Sequence, residues 1–132
     1  MNTTNKIFSE ISAGELMDKI TILEIKKIKI TDANKQIIIN KELDSLNATC
    51  QASITPTTEL TEQIAKLKAI NLKLWDIEEA KRECERQKDF SETFIGLARS
   101  VYIENDNRAK IKAEINRLTN STISEVKSYK AY

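Results

Sequence analysis

Phe94, Leu97, Val101, Glu104, Arg108, Ile111, Ile115 and Leu118 follow one another at alternating spacings of three and four. Such a series stays on one stripe of an α-helix, and it cannot serve a strand, whose successive side chains alternate between faces. The middle of the stripe is polar, with Tyr-Ile-Glu-Asn-Asp-Asn-Arg at residues 102–108. A break in the helix there would reset the phase. The phase survives across Glu104-Asn-Asp-Asn107, which predicts one continuous helix from about Phe90 to Thr119.

The preceding segment carries a matching stripe. Leu60, Ile64, Leu67, Ile70, Leu74, Ile77 and Cys84 line one side of a helix that Thr57 or Thr58 caps and that runs to about Lys88, roughly 45 Å long. Glu62 with Lys66, Glu78 with Arg82 and Lys81 with Glu85 supply i,i+4 charge pairs on its other faces. Asp89-Phe-Ser-Glu92 has the D-x-x-E pattern of a cap and leaves only a short turn, so the two long helices must run antiparallel. Upstream, Ser12-Ala-Gly-Glu15 is a capping-box pattern that opens a first helix with Leu16, Ile20, Leu23, Lys27 and Ile30 in phase and Ile22, Ile25 and Ile28 widening its apolar face. Asp32 caps a second helix with Ile39, Leu43, Leu46 and Cys50 on one side. By propensity alone Lys29 to Thr31 and Gln36 to Ile39 also suit strands, but their flanks read as helix. The reading is a single all-α domain: an N-terminal helical pair over about 12–51, a linker at 52–57 around Pro56, an elongated antiparallel, coiled-coil-like hairpin over 58–119, and a C-terminal tail at 120–132 in which Thr122-Ile-Ser-Glu125 caps a short helix ending near Tyr129. A chain with two Gly and one Pro has few turns to place, which agrees with long helices.

Composition removes several function classes. The 21 basic and 20 acidic residues are interspersed, which argues against a nucleic-acid or anionic-membrane partner, since those need a basic stripe. With no histidine, His-based nucleophilic catalysis and His-ligated zinc are excluded. Cys50 and Cys84 stand alone and read as small apolar packing residues. No run is long and apolar enough to span a bilayer and Met1 to Glu10 lacks a signal-peptide core, so the expectation is a cytoplasmic protein that needs no cofactor.

The polar middle of the fourth helix has a counterpart. Asn71 and Glu78 fall in or beside the seam of the third helix, and Asn71 lies about as far from the turn as Asn105 or Asp106. On one reading Asn71, Glu78, Asn105 and Arg108 form a hydrogen-bonded layer that fixes helix register. On another, Glu15, Asp18 and Lys19 of the first helix join Trp75, Arg99, Tyr102, Asp106 and Arg108 around a pocket for an anionic small molecule, because arginine suits phosphate or carboxylate and an aromatic ring stacks on a base or sugar. A third leaves these side chains on a solvated face. Glu78-Glu79 with Glu83, and Glu15-x-x-Asp18, also have a superficial likeness to the acidic motifs of all-helical, magnesium-dependent nucleotide pyrophosphohydrolases, with the spacing one residue long and the motif order reversed.

The segments SAGELMDKITILEIK (12–26), INLKLWDIEEAKRECE (70–85) and FIGLARSVYIENDNRAKIKAEIN (94–116), with the tail EVKSYKAY, resemble an uncharacterised family of small bacterial and phage proteins, a domain of unknown function. The resemblance covers nearly the whole chain and is weakest over Lys35 to Ile54. It implies that Gly14, Glu15, Asp18, Lys19, Asn71, Trp75, Glu78, Arg99, Tyr102, Asn105, Asp106 and Arg108 belong to the family motif, and it transfers no catalytic role. The leading expectation is a non-catalytic interaction or scaffold module that associates with itself or with another protein. The alternative is a binding protein or metal-dependent enzyme acting on a nucleotide or sugar phosphate through the polar layer.

Overall fold

The computed structural model describes residues 5–132; the first four residues of the Met1–Glu10 segment lie outside the described part. The chain forms four helices, α1 (Ala13–Lys29), α2 (Ala33–Ser53), α3 (Thr58–Arg86) and α4 (Glu92–Thr119), and no strand among the described residues. The isoleucine-rich pieces around residues 29–39 therefore fold as helix, apart from the short bend between α1 and α2. The fold is all-α, as the periodicities require.

Each boundary has a local cause. The Ser12 hydroxyl accepts from the Glu15 N–H at 3.1 Å, Asp32 Oδ2 from the Lys35 N–H at 2.9 Å and Thr57 Oγ1 from the Leu60 N–H at 3.1 Å, which satisfies donors that no helical carbonyl reaches. The Asp89 cap does not form. Ser91 occupies the N-cap of α4 without a side-chain bond, and Asp89 Oδ1 instead accepts from the Ser91 N–H at 3.0 Å inside the turn. Helix α3 stops because Lys88 takes φ 53° and Asp89 N–H donates back to the Cys84 carbonyl at 2.8 Å, a Schellman closure. Asn120, also at φ 53°, ends α4 the same way, with Ser121 N–H donating to the Asn116 carbonyl at 2.9 Å. Past it, residues 121–132 contain no helix, which corrects the expectation of a short one up to Tyr129. Their Val126, Tyr129 and Tyr132 are more than four-fifths exposed, so there is no packed apolar face to offset helix nucleation.

Helix α1 is the hub: it packs on α2, α3 and α4, and α3 packs along α4. The core joins Leu16, Met17, Ile20 and Leu23 of α1, Ile39 and Leu43 of α2, Leu60 and Leu67 of α3, and Ile115 of α4. Leu67 and Ile115 are fully buried, each a contribution of roughly 1.5–3 kcal/mol relative to exposure. Cys84 is buried and Cys50 packs against this core, where burial pushes the Cys50 thiol pKa up; both are free. Lys27 and Ile28, read as part of the apolar face of α1, are exposed because the last turns of α1 run beyond this core. No helix among the described residues is long and apolar enough to cross a membrane.

Candidate functional site

The polar middle of α4 is part of one continuous helix, and its seam residues from Phe94 to Leu118 are half-buried or buried throughout. Asn71, on the facing stripe of α3, is buried and uses its whole amide: Nδ2 donates to Asp18 Oδ1 at 2.9 Å and to Thr21 Oγ1 at 3.0 Å, while Oδ1 accepts from Arg108 Nη1 at 3.3 Å. Thr21, fully buried, donates within α1 to the Met17 carbonyl at 2.9 Å. Asp18 is 6% exposed, and its second oxygen lies 3.6 Å from Lys112 Nζ, with Arg108 Nη1 3.9 Å from the first. Lys112 Nζ also donates to Glu15 Oε2 at 2.8 Å and to Glu125 Oε2 of the tail at 3.4 Å. Three helices and the tail thus meet in one network, in which each buried charge has a partner of opposite sign.

Backbone approach makes this meeting possible. Gly14 N–H donates to Asn116 Oδ1 at 2.7 Å, and a Cβ at residue 14 would stand only 2.6 Å from the Lys112 carbonyl oxygen. Close contact of α1 with α4 at Gly14 sets Glu15 and Asp18 against Lys112 one turn further along. Burial alone would push the Lys112 ammonium down, but the hydrogen bond to Glu15 and the charges of Asp18, Glu15 and Glu125 outweigh it, and its pKa is raised. Lys112 is therefore held as a cation, which suits an ion-pair anchor and not an amine nucleophile.

The residues singled out in the sequence divide into three places. Glu15, Asp18, Asn71 and Arg108 share the network just described. Trp75 and Glu78 line a cleft between α1 and α3 that Arg108 and Asn71 reach from its other end. Tyr102 and Asp106 face the tail: the Tyr132 hydroxyl donates to Asp106 Oδ2 at 2.8 Å, and the Tyr102 and Tyr132 rings meet edge to face at 5.2 Å. That bond, with partial desolvation and the negative charge of Asp106, raises the Tyr132 pKa. Lys19 is exposed and stands 4.0 Å from Glu15, one turn back on α1. Arg99 is exposed and makes no ion pair or hydrogen bond among the described residues. Asn105 is half-buried beside Arg108 and Lys112, where it lines a small crevice without bonding Asn71.

Of the four residues expected in one hydrogen-bonded layer, two come together. Asn71 and Arg108 do bond, but Glu78 turns to Lys81 on its own helix at 3.4 Å, because α1 inserts Asp18 and Thr21 where a two-helix hairpin would have put Glu78 and Asn105. The expected pocket that joins Glu15, Asp18, Lys19, Trp75, Arg99, Tyr102, Asp106 and Arg108 is divided, since Tyr102 and Asp106 contact the tail at Tyr132 while Trp75 and Arg108 line the cleft beside α1. No three acidic or cysteine side chains come together to hold a metal ion among the described residues, Glu78, Glu79 and Glu83 included. Sequence reasoning missed Thr21, Lys112 and Glu125. Lys112 directly follows Ile111 of the seam and lies four residues beyond Arg108, and that spacing was the available signal.

No curated protein and no solved structure matches this chain. A family model matches residues 7–132, and the chain belongs to that family, described as a family of unknown function (DUF6165).

Proposed function

We propose that this chain is a non-catalytic helical interaction module that associates with a second copy of itself through the turn end of the α3/α4 hairpin. The observation that carries this is the thinness of that end. No hydrogen bond or ion pair joins residues 77–103 to α1 or α2 among the described residues. Two helices alone cannot cover both sides of their seam. Phe94, Leu97 and Val101 are accordingly half-buried, while Phe90 is 51% and Ile95 46% exposed. Phe90 and Phe94 already pair edge to face at 5.5 Å and extend the apolar surface round the start of α4.

A second copy suits this surface in charge as well as in shape. Residues 78–88 carry Glu78, Glu79, Glu83 and Glu85 against Lys81, Arg82, Arg86 and Lys88, so two copies meet without net repulsion. Two such hairpins docked about a twofold axis make a four-helix bundle, in which each seam gains the partner that it lacks. A stable interface of this kind buries about 800 Å² on each side.

The test is sedimentation of the full chain across a concentration series. The expected result is a reversible dimer that Ile95→Glu and Phe90→Glu convert to monomer with unchanged helical content. A wild-type chain that stays monomeric throughout, or a dimer indifferent to both substitutions, overturns the proposal.

A further inference from the structure

Between the C-terminal half of α1 and α3 runs an open cleft of about 570 Å³, walled on one side by Ile22 and Ile25. Trp75 stands half-buried in it. Two guanidinium groups flank the indole. Arg108 enters at the level of Asn71, one turn before Trp75, and Arg82 lies seven residues beyond Trp75 on α3, about 10 Å along the helix axis. Both are underused. Arg108 gives one hydrogen bond, at 3.3 Å, out of the five donors of a guanidinium, and Arg82 makes neither an ion pair nor a hydrogen bond among the described residues. Glu79, which also lines the cleft, is uncommitted in the same sense.

We infer that this cleft binds a small anion built on a planar ring, with the chemistry of a nucleoside monophosphate. The ring stacks on Trp75 between the isoleucine wall and the solvent, the phosphate takes the spare donors of Arg108 with Arg82 closing from the open side, and Glu79 accepts from hydroxyl or amino groups of the ligand. A guanidinium already two-thirds withdrawn from water, at 29% exposure, is the stronger anchor, because its Coulomb field is less screened than that of a surface group. Asp18 does not neutralise it in advance. At 3.9 Å from Arg108 that carboxylate is at the limit of an ion pair, and it is closer to Lys112 and hydrogen-bonded to Asn71. The cleft is complete within one chain, but it shares Glu79 and Arg82 with the end of the hairpin through which two copies associate, so ligand and second copy compete for those two side chains.

The single tryptophan makes the experiment specific, because every change in indole emission reports on Trp75. The full chain is titrated with purine and pyrimidine nucleoside monophosphates, with the free nucleosides and with ribose 5-phosphate. Saturable quenching by monophosphates, at least about tenfold weaker for the nucleosides and for the sugar phosphate without a base, is the expected result. Arg82→Ala, which removes no ion pair or hydrogen bond among the described residues, weakens the monophosphate by about fivefold to tenfold. Arg108→Lys keeps the charge beside Asn71 but loses the planar fork, and it weakens binding further, read at a temperature where circular dichroism shows the variant folded. Equal quenching by nucleoside and monophosphate, no saturable quenching at all, or an Arg82→Ala chain that binds like the wild type each overturns the inference. Sedimentation of the same samples shows whether self-association stands or falls separately.

Discussion

At the residue scale the molecule's two glycines make opposite predictions. Gly14 sits where α1 touches the α4 backbone, and a methyl group there would meet a carbonyl oxygen at 2.6 Å that cannot rotate away. Gly14→Ala therefore forces α1 off α4, loosens the Glu15 and Asp18 contacts with Lys112, and lowers the unfolding free energy by about 1–3 kcal/mol. Gly96 has nothing within 4 Å of its added Cβ and lies in the interior of α4. Gly96→Ala should raise stability by about 0.5–1 kcal/mol through helix propensity alone. Urea unfolding of both, in an Ile95→Glu background so that self-association does not contribute, checks the pair; equal effects of the same sign would refute the close-approach account. The sequence pattern placed Gly14 inside a capping box but could not show this contact, because the partner carbonyl is 98 residues away on a helix whose distance from α1 no local pattern records.

At the element scale the difference between a register device and a binding site becomes measurable at Asn71. Its amide holds α1, α3 and α4 together by three hydrogen bonds. Asn71→Leu strands the buried Asp18 carboxylate and the Thr21 hydroxyl without that donor, and it should cost about 2–4 kcal/mol, more than an apolar swap in a two-helix seam where the facing polar group could turn to solvent. Thermal or urea unfolding checks this, and a neutral or stabilising outcome would show that the network is dispensable for packing. Helix α4 itself was legible from phase alone, because eight seam residues keep step whether or not the middle ones are polar. Three of the caps were legible for a similar reason: Ser12, Asp32 and Thr57 act within three residues of themselves. What could not be read was the third partner. Asn71 was expected to lie level with Asn105 or Asp106 across a hairpin, in one layer with Glu78 and Arg108; it bonds Arg108, and the chain order gives no indication that Asp18 and Thr21 of α1 complete its bonding in place of Glu78 and Asn105. Lys112 escaped notice because a lysine four residues from an arginine on a charged helix looks solvated, and only the contact at Gly14 buries it. The tail failed for the opposite reason, since a capping pattern at Thr122 has no apolar face behind it to make a helix worth nucleating.

At the scale of the whole molecule, stability against pH follows from a network of lysine, arginine and carboxylates in a chain without histidine. The Lys112 pKa is raised above 10.5 in the folded state, so its contribution is fully present below that value and is lost as pH rises through the higher folded pKa. The Glu125 carboxyl, hydrogen-bonded to Lys127 and lying in the field of Lys112, is held below its ordinary 4.5, as is Glu114 beside Arg117. Their contributions are present above 4.5 and fade as pH falls through the lowered values, and both groups are solvent-facing enough that screening keeps each effect small. In a chain without histidine the melting temperature should be flat between roughly pH 5.5 and pH 8.5, with a shallow loss on the acid side and a steeper one on the alkaline side where the buried ammonium discharges. Lys112→Met makes the alkaline loss shallower, leaving the part that the raised Cys50 and Tyr132 pKa values contribute, and, by leaving Asp18 with a weaker cation, lowers the whole plateau by about 3 kcal/mol. Circular dichroism melts of both chains across that range decide the matter: an alkaline limb just as steep in Lys112→Met would place the main titrating group elsewhere, and an unchanged plateau would mean that Arg108 and Asn71 alone are enough to hold Asp18 in the interior.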